Sequence, residues 1–94
     1  MLAARMYGIN DLRIEEMPKP KIGAGEILVK VRAAAICGTD VRMLTSGAKG
    51  TDSSQPLVLG HEFAGDIVEI GSEVTGYQAG MRVAVAPNMG CGVC

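Results

Sequence analysis

The amino-acid sequence predicts a mostly-β fold, and three of its features carry this prediction. The chain has 94 residues, of which 48% are hydrophobic, so it is long enough for one core and too short for two. Its apolar runs are short, and the clearest of them alternate as half-buried strands do. Its 13 glycines, about twice the average share, favour strands joined by turns. We therefore expect one barrel or sandwich with one or two short helices.

The N-terminal part is expected to form a hairpin. Residues 1–7 are the first predicted strand, residues 8–11 (Gly-Ile-Asn-Asp) its turn and residues 12–16 the returning strand. Pro18 and Pro20 end this pairing because a proline has no backbone N–H to donate to a neighbouring strand.

Residues 26–36 form the strongest predicted strand of the chain. Every second residue from Ile27 to Val31 is β-branched, which gives one apolar face and one mixed face. Residues 39–44 are predicted to form a short helix, with Thr39 as its N-cap.

The second half of the chain alternates between loops and strands. Residues 46–56 are rich in Gly, Ser, Thr and Asp and are predicted to form an exposed loop. A strand-like run at 57–59 leads into a second strong strand at 63–70, which a turn at 71–73 ends. Residues 82–86 are the last predicted strand.

Charge and composition exclude several classes of partner. With 9 basic and 10 acidic residues the net charge is −1, and only 3% of the residues are aromatic, so we expect no nucleic-acid partner. Residues 1–10 lack the roughly seven consecutive apolar residues of a secretory signal, and no run approaches the ~20 that span a bilayer. A soluble cytoplasmic protein without a membrane partner is expected. The odd number of cysteines, 3, favours metal or thiol chemistry over disulfides.

Two short segments contain the residues of a candidate zinc site. His61, the only histidine, lies in the segment GHEFAG at residues 60–65, and Cys37 begins the segment CGTD at residues 37–40. A thiolate, an imidazole and a nearby carboxylate are typical donors of a catalytic zinc site, in which three side chains hold the metal and one position stays open.

The spacing of these segments resembles a known family. Residues 60–74 contain Gly-His-Glu, two residues, Gly, five residues, Gly, two residues and Val. This pattern resembles the zinc-site signature of the zinc-dependent medium-chain dehydrogenases of alcohols, polyols and threonine. The segment at 37–40 is similar to the family's first ligand segment. The segment GMRV at 80–83 resembles the family's Gly-Asp-Arg-Val turn, with Met81 where an aspartate is usual.

The resemblance implies a fold and a domain organisation. It implies that residues 1–94 are the N-terminal GroES-like domain, a partly open β-barrel that carries the zinc and the substrate. The chain would then end at the start of the lobe that holds a structural zinc. The dinucleotide-binding domain is expected to be absent, since no Gly-x-Gly-x-x-Gly follows a strand.

The resemblance also implies a role for each residue of the site. Cys37, as thiolate, and His61, through one ring nitrogen, would be zinc ligands. Asp40 would orient the other ring nitrogen of His61, and Thr39 would exchange a proton with the substrate alcohol. The role of Glu62 stays open, because this carboxylate binds zinc in polyol-type relatives and approaches it only intermittently in alcohol-type relatives.

Cys91 and Cys94 form a second candidate metal pair. Their two-residue gap lets both sulfurs reach one tetrahedral metal. In the family such a pair begins a structural zinc site that two further cysteines complete. Because the chain stops at Cys94, we expect an incomplete site and favour a frayed tail with two reactive thiols.

The resemblance therefore implies an enzyme domain as the leading hypothesis. The parent protein would use NAD or NADP to oxidise a primary or secondary alcohol or polyol to an aldehyde or ketone, as a homo-oligomer. The isolated chain would be inactive.

Two other classes of function remain as alternatives. One is a GroES-like structural or binding module without a catalytic metal, which needs a mobile apolar loop, whereas residues 46–56 are polar. The other is thiol chemistry, from a triad of Cys37, His61 and Asp40 or from the cysteine pair near the end of the chain. The pair lacks a βαβ context, and the triad lacks a local nucleophile motif.

Overall fold

The computed structural model describes residues 1–88, 90 and 91. This part of the chain confirms the predicted mostly-β fold with one or two short helices, since it contains six strands and one helix. Their order is β1 (Leu2–Gly8), β2 (Asp11–Glu16), β3 (Ile27–Ala35), α1 (Gly38–Ser46), β4 (Leu57–Val58), β5 (Glu62–Ile70) and β6 (Arg82–Ala84). The described residues divide into two compact units, one with Met1–Lys19 and Ile36–Gly60, the other with Pro20–Ala35 and the described residues from His61 onward.

The first unit contains a three-stranded antiparallel sheet in the order β2-β1-β4. The turn between β1 and β2 includes Asn10 at φ 55, a left-handed conformation that asparagine tolerates well. Met6 lies on the central strand, where it pairs with Leu12 on one side and Leu57 on the other. Its side chain is fully buried, so the apolar face of this sheet has its centre at Met6.

The opposite face of the β1–β2 hairpin is held by polar contacts. The Tyr7 hydroxyl donates a hydrogen bond to Glu15, and an Arg5 nitrogen lies 3.3 Å from the same carboxylate. The Arg13 guanidinium lies 4.1 Å from the centre of the Tyr7 ring, within the range of a cation–π contact. The hydrogen bond to Glu15 raises the pKa of Tyr7, because the phenol can donate this bond only while it is protonated.

The second unit contains a three-stranded antiparallel sheet in the order β3-β5-β6. Ile67 of the central strand is 2% exposed and marks the core of this unit. The predicted alternation in β3 is only partly observed, because Val31 is 51% exposed. The register of β3 on β5 shifts twice, between Leu28 and Val29 and between Val31 and Ala33, and an irregularity of this kind changes which face the side chains beyond it occupy.

Helix α1 begins before its predicted start, and its N-cap is Cys37 instead of Thr39. Cys37 is extended, with φ −91 and ψ 152, and its N–H donates to the Asp40 carboxylate at 3.0 Å. Thr39 therefore lies within the first turn. The helix continues through Ser46, which we expected in the following loop. Its C-cap is Gly47, where φ is 92 and the N–H donates to the Met43 carbonyl.

The last strand is shorter than predicted, since β6 ends at Ala84, although the Val85 N–H still donates to the Phe63 carbonyl of β5 at 3.2 Å. In the part of the chain that the structure describes, no helical segment has the length and the apolar character needed to cross a bilayer.

Candidate metal centre

The ladder between β3 and β5 determines where the chain leaves β3 and where it enters β5. Ala35 pairs with Glu62 at the end of this antiparallel ladder. Cys37 follows Ala35 by two residues, and His61 directly precedes Glu62. In an antiparallel pair the end of one strand meets the start of the other, so the chain leaves β3 beside the point where it enters β5.

Cys37, His61 and Glu62 form a group that can hold a metal ion. The Cys37 Sγ, one ring nitrogen of His61 and one carboxylate oxygen of Glu62 lie within 4.8 Å of one another. Cys37 and His61 are half-buried, and Glu62 is exposed. Ligands at ~2.0–2.3 Å from a tetrahedral zinc are about 3.5 Å apart, so donors this close are compatible with one shared ion.

The chemistry of the three donors fits zinc. A soft thiolate and an imidazole select zinc over magnesium or calcium, which prefer oxygen ligands. Three side chains leave one tetrahedral position open, as a catalytic zinc site requires. Because Glu62 is the exposed member of the group, water can compete for its position more easily than for those of Cys37 and His61.

The first turn of α1 places Thr39 and Asp40 against Cys37. The Thr39 Oγ1 lies 3.6 Å from the Cys37 Sγ. The Asp40 Oδ2 accepts the Cys37 N–H at 3.0 Å. Both residues were predicted site residues, but the contact of Asp40 with the Cys37 backbone was not expected. The predicted orientation of the His61 ring by Asp40 stays a prediction.

The second predicted metal pair lies at the limit of the described residues. Cys91 is exposed, and Cys94 lies outside the residues that the structure describes. A joint role of Cys91 and Cys94 in a structural zinc site therefore stays a prediction.

Sequence reasoning missed a charged cluster on the second sheet. Asp66 of β5 accepts hydrogen bonds from Arg82 of β6 at 3.1 Å and from Arg32 of β3 at 3.0 Å. These two bonds hold the pKa of Asp66 below its ordinary value, and the bond from Arg82 contributes most. The cluster joins all three strands of the sheet. No sequence spacing reveals it, because the three residues meet only when the register is known.

Comparisons with known proteins show the family of this chain. Residues 23–94 match the family described as the alcohol dehydrogenase GroES-like domain. Sorbitol dehydrogenase of Bombyx mori is 42% identical over 93 residues, which are 98% of this chain and 27% of that protein. L-threonine 3-dehydrogenase of Chelativorans sp. (strain BNC1) is 47% identical over 85 residues, which are 88% of this chain and 24% of that protein.

Solved structures agree with the sequence comparison. A zinc-binding dehydrogenase from Sinorhizobium meliloti 1021, bound to NADP, superposes with a TM-score of 0.86 and 38% identity, over 99% of this chain and 26% of its own. Galactitol-1-phosphate dehydrogenase from Escherichia coli superposes with a TM-score of 0.89 and 29% identity, over 100% of this chain and 27% of its own.

The chain belongs to the GroES-like domain family of the zinc-dependent medium-chain alcohol dehydrogenases, as its motifs predicted. It spans 27% and 24% of the length of the two curated relatives described above.

Proposed function

We propose that this chain is the zinc- and substrate-binding domain of an NAD(P)-dependent alcohol or polyol dehydrogenase. The observation that carries the proposal is the group of Cys37, His61 and Glu62, whose donor atoms lie within 4.8 Å of one another. The relatives named sorbitol and L-threonine 3-dehydrogenase support a hydroxyl-bearing small molecule as the substrate class.

In this proposal the chain's own residues hold the metal and move one proton. Cys37, as thiolate, and His61 would hold the zinc ion, and either Glu62 or water would complete the set of ligands. A zinc ion, when bound, acts as a Lewis acid toward the substrate hydroxyl. Thr39 would relay the hydroxyl proton: its Oγ1, which lies 3.6 Å from the Cys37 Sγ, accepts that proton while its own hydroxyl proton passes to water. A neutral hydroxyl can do this without competing for the metal.

Other features of the parent protein are proposed on the resemblance to the relatives. We propose that a dinucleotide-binding domain outside residues 1–94 holds NAD or NADP, and that the parent protein is a cytoplasmic homo-oligomer. We also propose that Cys91 and Cys94 begin a structural zinc site in the parent protein. The NADP in the Sinorhizobium meliloti structure supports the nucleotide.

Zinc affinity of matched cysteine variants tests the proposed function. The Kd of zinc is measured by competition with a chromophoric chelator for the wild-type chain, Cys37→Ser, His61→Gln and the control Cys91→Ser. We expect Cys37→Ser and His61→Gln to weaken binding by more than about 100-fold, because the loss of a ligand exceeds the ~10- to 100-fold cost of losing a residue that orients one. Cys91→Ser removes an exposed thiol and should bind zinc as tightly as the wild-type chain.

Two results would contradict the proposal. Equal zinc affinity of Cys37→Ser and the wild-type chain would exclude Cys37 as a ligand. A wild-type chain that folds and binds no zinc would favour the alternative, a GroES-like structural or binding module without a catalytic metal.

A further inference from the structure

Asp40 binds both polar groups of the Cys37 backbone. Its Oδ2 accepts the Cys37 N–H at 3.0 Å, and its own N–H donates to the Cys37 carbonyl at 3.0 Å. Asp40 is the third residue of α1, and Cys37 is its N-cap. The pair therefore forms a reciprocal cap, an arrangement in which a side chain of the first turn returns to the N-cap backbone.

Cysteine is an unusual N-cap residue, and for this reason the bond from the Cys37 N–H to Asp40 is the stronger stabilising contact at the start of α1. Ser, Thr, Asp and Asn are preferred N-caps because their oxygens accept backbone N–H groups strongly. A cysteine sulfur accepts hydrogen bonds only weakly. The carboxylate bond from Asp40 to the Cys37 N–H is charge-assisted, and such bonds are roughly twice as strong as neutral ones. The start of α1 therefore depends on Asp40.

The direction of the Cys37 thiol follows from its backbone. Only χ1 separates the Sγ from the main chain, and staggered rotamers leave three positions for it. Once φ and ψ are held at −91 and 152, these three positions are fixed in space. A side chain that holds the Cys37 backbone thus also limits where the sulfur can meet a metal.

We propose that Asp40 is a positioning residue for Cys37 and holds its thiol where the zinc ion requires it. This inference rests on the proposed function for the metal, but its geometric part concerns Asp40 and Cys37 alone. It differs from the orientation of His61, which the family resemblance implies for Asp40, because it acts on the other ligand and through its backbone.

Amide hydrogen exchange in the metal-free chain tests the geometric part. In Asp40→Ala we expect the Cys37 amide to exchange about 10- to 100-fold faster, as the loss of a hydrogen bond to a charged acceptor predicts. In Asp40→Asn the side-chain oxygen still accepts the N–H, so exchange should increase by less than about tenfold. Asp52→Ala is the matched control, since Asp52 also accepts backbone N–H groups, from Ser54 and Gln55, and should leave the Cys37 amide unchanged.

Zinc affinity of the same variants tests the functional part. We expect Asp40→Ala to weaken zinc binding by about 10- to 100-fold and Asp40→Asn to weaken it less, in the order of their Cys37 amide exchange. Asp52→Ala should match the wild-type chain. Circular dichroism shows whether each variant folds. If Asp40→Ala does not fold, the comparison of Asp40→Asn with the wild-type chain is the test.

The two proposals fail in different ways. Cys37 amide exchange that stays at the wild-type rate in folded Asp40 variants would overturn the positioning role, whatever the zinc affinity. Equal losses of zinc affinity in Asp40→Asn and Asp40→Ala, with unequal amide exchange, would also overturn it. Both variants remove the charge of Asp40, so an effect of that charge on His61 would then explain the two losses of affinity. A wild-type chain that binds no zinc would instead contradict the proposed function.

Discussion

Two glycines of the family motif are required by space and not by metal chemistry. A Cβ on Gly65 would overlap the Lys30 carbonyl oxygen and lie 2.9 Å from the Val29 side chain. A Cβ on Gly71 would overlap backbone carbonyl oxygens of the turn that precedes β3. Both glycines therefore permit the close approach of the backbone around β3 and β5. The fixed spacing of the motif thus combines residues that hold the ladder with residues that can bind the metal.

Gly65→Ala should destabilise the fold while a matched glycine substitution does not. We expect the free energy of unfolding to fall by about 1–3 kcal/mol, as overpacking predicts, and the melting temperature by about 4–8 °C per kcal/mol. Gly25→Ala is the control, because nothing lies within 4 Å of a Cβ at that position. Thermal denaturation followed by circular dichroism measures both. Equal melting temperatures for the two variants would contradict the steric account.

Single residues of the site were predictable to different degrees. Cys37 and His61 were proposed from the motif spacing alone, and the structure places their donor atoms close together. The prediction of Thr39 as the N-cap was wrong, because a cap preference depends on the residue type alone and not on the contacts that the residue makes in the fold. The carboxylate of Asp40 accepts the Cys37 N–H. This bond stabilises Cys37 as the N-cap, and the helix begins at Gly38.

Strand β5 is the element that joins the site to the second sheet. It begins at Glu62, next to His61, and carries Asp66 at its centre. Asp66 binds Arg32 of one neighbouring strand and Arg82 of the other. Both arginines are more exposed than Asp66. The cluster therefore stabilises the sheet at its surface, and salt should weaken it.

The lowered pKa of Asp66 predicts a pH dependence of stability. A carboxyl whose folded pKa lies below its unfolded value of about 3.9 stabilises the fold above that value and loses this contribution as pH falls through the folded pKa. The urea midpoint of the wild-type chain should therefore fall more steeply below about pH 4 than that of Asp66→Asn. High salt should reduce the difference between them. Parallel pH profiles at low salt would contradict the role of Arg82 and Arg32 in the pKa shift.

Element types were easier to predict than their details. The strands around residues 27–35 and 62–70 follow from short alternating runs, which is a local property of the sequence. The register shift between Val31 and Ala33 depends on the partner strand, and so it could not be predicted from β3 alone. For the same reason the contact of Asp66 with its arginines was missed.

The chain as a whole matches one domain of much longer relatives. It spans 27% of the sorbitol dehydrogenase and 24% of the L-threonine 3-dehydrogenase described above. The fold class and the family were predictable because the motif residues are close in the sequence. The nucleotide specificity and the substrate were not, since no residue of this chain was assigned to either.

Residues 1–94 alone should not oxidise alcohols. Hydride transfer needs a nicotinamide held beside the substrate carbon, and this sequence contains no Gly-rich turn after a strand that would bind its phosphates. We expect no reduction of NAD or NADP by the zinc-loaded chain with primary, secondary or polyhydric alcohols. The absorbance of the reduced nicotinamide measures this. Turnover by the purified chain, at a rate that depends on its concentration, would contradict the proposal that it is one domain of a larger enzyme.

X-ray absorption at the zinc edge of the zinc-loaded double variant Cys91→Ser/Cys94→Ser tests most directly whether Cys37 binds the metal. Cys37 is then the only cysteine left in the chain, so any sulfur bound to zinc identifies it. We predict one sulfur at about 2.3 Å together with nitrogen or oxygen ligands at about 2.0–2.1 Å. A zinc shell made only of nitrogen and oxygen, or a folded chain that binds no zinc, would contradict the site at Cys37 and His61.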